Sequence, residues 1–122
     1  LNQAYPDALE RLAAYTRFWA ECIERANPPI CICALLAAEL PAVPAEVADE
    51  VRGHFDDLHA WIAATLADGA ARGALRVADP AAPDPATFVA SIHGAMLAAR
   101  AAGQASLFWT IAKVSTDRLR AP

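Results

Sequence analysis

The side chains with the widest chemistry in this sequence are three histidines and three cysteines. Thiolates and imidazoles bind transition metals, and two thiols can form a disulfide. Cys31 and Cys33 would point about 200° apart on a shared helix, and no Cys-x-x-Cys or His-x-x-x-His spacing supplements them. We therefore expect no metal site and no cofactor, and we interpret Cys22, Cys31 and Cys33 as buried apolar side chains. A thiol-based sensor is the alternative if Cys22 faces Cys33 across a helix contact.

His93 lies between Val89 and Met96 on the apolar face of a predicted helix. A neutral imidazole on such a face needs a hydrogen-bond partner, because burying a polar group without one is costly. His93 could hold a carboxylate or hydroxyl of a bound effector, alone or together with Arg100. The alternative is a histidine whose hydrogen bonds are satisfied within the core or an interface.

His54 follows Glu50 by one helical turn, so the two side chains can contact each other. The residue either lines a binding pocket or is a partly exposed histidine paired with that acid. His59 is expected on the flank of the same helix, in contact with solvent.

Large aromatic rings are concentrated on the first and third predicted helices. Small organic molecules usually bind in apolar pockets that contain a few polar groups, and rings that face small residues can enclose such a pocket. The same rings could instead fill the core. The candidate ligand-binding residues are Tyr15, Phe18, Trp19, Cys22, His54, Phe55, Leu58, Trp61, His93 and Met96.

Composition and motifs exclude several classes of protein. The 122 residues are 57% hydrophobic with a net charge of −4, which indicates one folded domain rather than a disordered chain. The acidic balance is unsuited to gripping nucleic-acid phosphates, and no apolar run is long enough for a membrane span. No Gly-rich phosphate loop, serine nucleophile elbow or pair of carboxylates beside a base is present, so we do not expect an enzyme. The few cysteines and the lack of a signal peptide favour the cytoplasm.

Apolar residues recur at spacings of three and four throughout, which predicts an all-α fold of about five helices. The second helix carries only one charged residue, Glu39, and is therefore predicted to be central and fully covered. A proline-rich connector is predicted over Val77–Asp84. The predicted helices run from about Pro6 to before Asn27, from Ile30 to Leu40, from Pro44 or Ala45 to Arg72, from Pro85 to about Ala102, and from Ser106 to about Leu119.

The last two predicted helices are almost free of charge. Between Ala86 and Thr116 only Arg100 and Lys113 are charged, and one side of a small monomer cannot cover two such helices. We therefore predict a homodimer that is sealed by this helix pair. The candidate interface residues are Ser91, Gly94, Ala95, Ala98, Ala102, Leu107, Phe108, Ile111 and Ser115.

Three segments in this order resemble the C-terminal domain of TetR-type transcriptional regulators. They are Ile32–Pro41, the end of the long helix at Asp68–Arg76, and Asp84–Pro85 followed by His93–Arg100. The resemblance covers roughly Tyr5 to Leu119, which is nearly the whole chain.

The resemblance implies that residues 1–122 form a single effector-binding and dimerisation domain whose last two helices pair with a second copy as a four-helix bundle. In such regulators a basic helix-turn-helix module precedes this domain, and DNA is bound only through that module. The sequence lacks the module and opens at Leu1 rather than at Met, so we expect residues upstream. A helical dimerisation scaffold without a ligand is the alternative function, beside the thiol-based sensor.

Overall fold

The computed structural model describes residues 6–26, 30–76 and 83–122. These residues form five α-helices and one short 3₁₀ turn at Leu40–Ala42, with a single isolated bridge between Leu75 and Arg120 in place of any strand. The all-α prediction is confirmed. The helices are α1 (Ala8–Arg25), α2 (Ile32–Ala38), α3 (Ala45–Ala71), α4 (Pro83–Ala102) and α5 (Ala105–Asp117).

Helix α1 is bounded by local hydrogen bonds at both ends. The Asp7 carboxylate accepts a hydrogen bond from the Glu10 amide at 3.2 Å, which satisfies an amide that the helix leaves unpaired. At the other end Ala26 takes a left-handed conformation with φ 54°, and its amide donates to the carbonyls of Cys22 and Ile23. The prolines predicted to stop this helix lie at residues 28 and 29, outside the described residues, as does most of the predicted connector, residues 77–82.

Helix α3 is the longest element, with 27 residues, and α1 approaches it very closely at Gly69. A Cβ at this position would lie 2.6 Å from Cγ of Leu75 and 2.9 Å from Cβ of Ala8. The bare backbone of Gly69 therefore sets the distance between the start of α1 and the end of α3. Gly73, with φ 76°, then turns the chain away.

Helix α4 packs against both α3 and α5, while α5 also packs against α1. Ala95 and Phe108 were predicted to face a second copy, but both are fully buried in their own chain. Ala95 falls within the buried arc of α4 formed with Ile92 and Met96, and Phe108 is covered where α5 packs on its neighbours. The largest fully buried side chains are Phe108, Leu12, Ile62, Leu66, Ile92 and Met96.

Helix α2 does not occupy the central position predicted for it. Its side chains Ile32 and Leu35 are exposed, Ile32 to 63%, and its main packing partner is α3. Seven residues make about two turns, so only one narrow face of this helix reaches a neighbour. Among the described helices, none is both long enough and apolar enough to cross a membrane.

Candidate functional site

Aromatic rings from α1, α3 and α4 form two groups of contacting side chains beside the core. Tyr15 lies with its ring centroid 5.9 Å from Trp61 and 6.5 Å from Phe88, and Phe55 lies 5.4 Å from the imidazole of His93. We call these five residues the aromatic cluster. Four of them were predicted from the sequence. Phe88 was missed, although its spacing of four residues from the buried Ile92 was a usable signal.

The hydroxyl of Tyr15 is buried and has no hydrogen-bond partner among the described residues. Burial, and to a lesser degree the nearby Cys31 thiol, raise the pKa of this phenol above its ordinary value, while the Trp19 side chain, which falls short of hydrogen-bond geometry, partly opposes the rise. The phenol therefore stays protonated at neutral pH and can donate a hydrogen bond.

His93 is satisfied through only one of its two ring nitrogens. Nδ1 lies 2.9 Å from the carbonyl oxygen of Val89, and because a carbonyl only accepts, Nδ1 must carry the proton. Nε2 of the neutral ring is then an acceptor, and it is buried without a partner among the described residues. Each buried polar atom left in this state costs about 1–3 kcal/mol. The aromatic cluster thus holds one unpaired donor and one unpaired acceptor.

His54 contacts Cys31 rather than the predicted acid. Its Nε2 lies 4.0 Å from Sγ of Cys31, and its ring stands edge-on to Phe55 with centroids 5.1 Å apart. These contacts connect Cys31 through His54 and Phe55 to His93. His59 donates from Nδ1 to the carbonyl of Phe55 at 2.7 Å and is half-buried, so it is not the solvated residue that was predicted.

The cysteines differ from the prediction in one respect. Cys31 precedes α2 in extended backbone conformation, so the helical separation expected between Cys31 and Cys33 does not apply. The Cys31 thiol is near enough to add to the burial that raises the pKa of the Cys33 thiol. The thiol beside Cys33 is thus Cys31, while Cys22 is buried in α1. No group of three or more histidines, cysteines or acids among the described residues could hold a metal ion.

The other predicted ligand-binding residues are divided between the core and the surface. Trp19 and Leu58 pack against the core, and Cys22 and Met96 are buried. Phe18 is 55% exposed, with its ring edge-on to Trp19 at 5.3 Å. Phe18 stands at the rim of the buried arc of α1 and does not join the aromatic cluster.

The outer faces of α4 and α5 carry the remaining predicted interface residues. Gly94 and Ala102 are exposed, and the others are half-buried, namely Ser91, Ala98, Leu107, Ile111 and Ser115. Two further apolar residues, Leu97 on α4 and Val114 on α5, are 50% and 47% exposed and were not predicted.

Three cavities lie near the surface of the described chain. Two are grooves between α1 and α5, of about 460 and 170 Å³, and Trp109 lines both. The third, of about 350 Å³, lies between α4, α5 and the segment that follows α3. Phe88 of the aromatic cluster lines the third cavity, and the other four cluster residues line none of these three.

Comparison with known proteins agrees with this architecture. Residues 8–112 match the family described as Tetracyclin repressor-like, C-terminal domain. A crystal structure of a TetR-family transcriptional regulator from Agrobacterium tumefaciens superposes with a TM-score of 0.94 at 43% sequence identity. The match covers 98% of this chain and 63% of that one, so this chain spans less than two thirds of its relative. No curated protein matches the sequence.

Proposed function

Because this chain belongs to the TetR family of transcriptional regulators, we propose that it is the effector-binding and dimerisation domain of such a regulator. The observation that carries the proposal is the pair of buried polar atoms without partners among the described residues, Tyr15 Oη and His93 Nε2, between the rings of the aromatic cluster. Folding leaves both atoms buried without hydrogen bonds, which costs free energy. A ligand that forms these hydrogen bonds would recover that free energy. Unsatisfied polar groups of this kind are expected at functional sites rather than in a purely structural core.

The chemistry of the two atoms defines the class of effector. The protonated Tyr15 phenol offers a donor, so the effector carries a carbonyl, hydroxyl or similar acceptor near α1. Nε2 of His93 offers an acceptor, so a second position on the effector carries a hydroxyl or N–H. The rings of Phe55, Trp61 and Phe88 favour a flat apolar body between these groups.

Binding at the aromatic cluster would act on the long helix. Since Tyr15 is in ring contact with Trp61, and Phe55 with His93, an effector that enters between these rings has to separate α1, α3 and α4 locally. Helix α3 contributes Phe55 and Trp61 and is about 40 Å long at ~1.5 Å per residue, so a small tilt is a large displacement at its far end. In a full-length regulator this motion would change the separation of two DNA-reading modules that precede the domain. A tenfold change in DNA affinity needs only ~1.4 kcal/mol of differential binding.

The homodimer is proposed to form through the outer faces of α4 and α5. Exposed Gly94 and Ala102 allow close helix approach, and the half-exposed Leu97 and Val114 supply apolar area that a second copy would cover. DNA would be bound only through a module upstream of these residues. We place the assembled regulator in the cytoplasm, where repressors meet DNA in bacteria.

A thermal-shift screen of small organic compounds tests the effector site. A compound that binds and is present at a concentration of 100 times its Kd should add ~2.7 kcal/mol to the stability of the wild-type domain and raise its Tm. The same compound should lose most of its effect in the Tyr15→Phe and His93→Leu variants. Phe18→Leu, which removes an exposed ring outside the cluster, is the matched control and should keep the full shift.

Two outcomes would contradict the effector site. Compounds whose shift survives in both the tyrosine and the histidine variant bind elsewhere. A broad screen without any shift favours the ligand-free dimerisation scaffold.

Sedimentation of Leu97→Lys tests the dimer. A lysine at this half-exposed position should convert the dimer to a monomer, because an unpaired charge would be buried at the proposed interface. Ile32→Lys places the same charge at an exposed apolar position on α2 and should leave the dimer intact. A wild-type chain that sediments as a 12.9 kDa particle at micromolar concentration would overturn the proposed dimer.

A further inference from the structure

The third cavity combines two arginines with an apolar wall, at a corner that shares only Phe88 with the aromatic cluster. Arg76 and Arg118 line its rim, and Phe88 and Leu119 form apolar walls. At about 350 Å³ it falls in the size range of small-molecule sites, which is roughly 300–1,000 Å³.

Backbone hydrogen bonds bring the two arginines together from distant parts of the sequence. The amide of Arg76 donates to the carbonyl of Leu119 at 2.7 Å, and the amide of Ala121 donates to the carbonyl of Ala74 at 3.0 Å. These bonds tie the exit of α3 to the residues after α5. Both ends of the corner are therefore fixed by main chain, which lowers the entropy cost of ordering the arginines around a ligand.

Neither guanidinium forms an ion pair or a side-chain hydrogen bond with another described residue, whereas Arg11, Arg52 and Arg72 each pair with an aspartate. Asp84 also lines the cavity and already has an interaction partner. Two positive charges thus face one negative charge, so the cavity carries a net positive charge.

Hydroxyl groups complete the lining. Ser91 on α4 and Ser115 on α5 flank the cavity, and the Ser115 hydroxyl donates to the Ile111 carbonyl at 3.0 Å, which leaves its oxygen free to accept. The first two turns of α4 face the cavity, so the positive end of the α4 dipole favours an anion there. The negative end of the α5 dipole opposes it, and Arg118 at the C-cap of α5 offsets that charge.

We propose that this cavity is a binding site for a small organic carboxylate, which Arg76 and Arg118 hold while its apolar body packs on Phe88 and Leu119. Guanidinium groups match the planar geometry of a carboxylate and form charge-assisted hydrogen bonds with it. An uncharged analogue of the same shape lacks those bonds and binds more weakly. The site does not depend on the unpaired atoms of the aromatic cluster, so it stands or falls separately from the proposed effector site.

Calorimetric titration with benzoate tests the proposal, with benzyl alcohol as the uncharged probe of similar shape. Benzoate should bind wild type, and Arg76→Gln and Arg118→Gln should each weaken its binding at least tenfold, as loss of one charge-assisted contact predicts. Benzyl alcohol should bind at least tenfold more weakly than benzoate. Arg17→Gln removes an arginine that lines a different groove and should leave benzoate affinity unchanged.

Two controls distinguish this cavity from the aromatic cluster and from the proposed dimer face. Tyr15→Phe should leave benzoate affinity unchanged, so a loss there would assign the binding to the aromatic cluster and overturn the proposal. Ser91 and Ser115 lie on the proposed dimer face, so sedimentation of each arginine variant must show that its assembly state is unchanged.

Three results would overturn the carboxylate site: no benzoate binding by wild type, equal affinity for benzyl alcohol, or wild-type affinity in both arginine variants. If the arginine variants fail to fold, amide NMR of wild type decides. Benzoate should then shift the amide resonances of Thr87 and Leu119 on the lining, and unchanged resonances there would reject the site.

Discussion

Helices α1 and α3 contact each other in two places that differ in how well their groups are packed and paired. Where α3 finishes, Gly69 lets Ala8 and Leu75 pack at minimum distance, and Arg11 pairs with Asp68 at 3.4 Å. About 10 Å further along α1, at ~1.5 Å per residue, Tyr15 packs on Trp61 with a hydroxyl that has no partner among the described residues. We call the first place the Gly69 crossing.

The difference teaches where this domain keeps its stability and where it gives stability up. Tight apolar contact and a paired charge hold the Gly69 crossing together, so separating the helices there loses all of those interactions. At the aromatic cluster, separating the helices exposes Tyr15 Oη and His93 Nε2. Both atoms can then form hydrogen bonds that they lack in the packed state. Helix α3 is therefore anchored at its C-terminal end and easier to move towards its middle.

The largest expected effect comes from Leu12→Ala, on α1 between the two places. Leu12 is fully buried, and truncation of such a leucine costs about 3 kcal/mol through lost burial and the cavity left behind. Chemical denaturation measures the loss. A cost below about 1 kcal/mol would show that the helices close over the gap, and the α1–α3 contact would then not be rigid.

Gly69→Ala sharpens the comparison at the Gly69 crossing itself. The new methyl group would meet Leu75 and Ala8, and the strain should outweigh the ~1 kcal/mol that alanine gains over glycine in a helix, for a net loss of about 1–2 kcal/mol. Gly53→Ala is the matched control on the same helix. Nothing lies within 4 Å of a Cβ there, so it should stabilise the domain by roughly 0.5–1 kcal/mol. Equal effects in the two variants would show that the close approach is absent in solution.

Tyr15→Phe tests the aromatic cluster without a ligand. Removing a buried hydroxyl that has no partner among the described residues should raise the free energy of unfolding by about 1 kcal/mol, while weakening effector binding. The measurement is denaturation of both proteins at pH 7. A loss of stability instead would mean that the hydroxyl is hydrogen-bonded, and the comparison between the two places would fail.

The smallest effect is on alkaline stability. The pKa of Tyr15 is raised by burial in the folded state, so the unfolded chain releases this proton first, near the ordinary value of 10.0. The contribution of this pKa difference to the free energy of unfolding is therefore fully present below about pH 10. It declines as the pH rises above that value, by up to ~1.4 kcal/mol per pH unit. Above pH 10 wild type should lose stability faster than Tyr15→Phe, as thermal melts at pH 9 and 10.5 would show. Parallel decline in both proteins would contradict the pKa shift.

The helices themselves could be predicted because their signals are local. Asp7 caps α1, and Gly73 turns the chain after α3, so the predicted bounds of both helices lie within a few residues of those observed. The apolar spacing also placed Tyr15, Trp61 and His93 on inner faces.

The failures share one cause, which is that packing between distant segments decides them. Composition made α2 look central, but its neighbours cover only one of its faces. Phe18 lies one turn from the buried Cys22 and is exposed, because the edge of a buried arc depends on how the neighbouring helix is rotated. The unpaired atoms of Tyr15 and His93 could not be predicted either, since a missing partner is a property of the whole surroundings.

The hydrogen bonds from Arg76 to Leu119 and from Ala121 to Ala74 have a consequence for folding during translation. The segment that ends α3 cannot reach its final position until residues 119–121 have left the ribosome. Earlier helices can pair as they emerge, but the hydrogen bonds of this corner form after them. A fusion partner placed directly after Ala121 would therefore compete with these two hydrogen bonds and loosen the C-terminal end of α3.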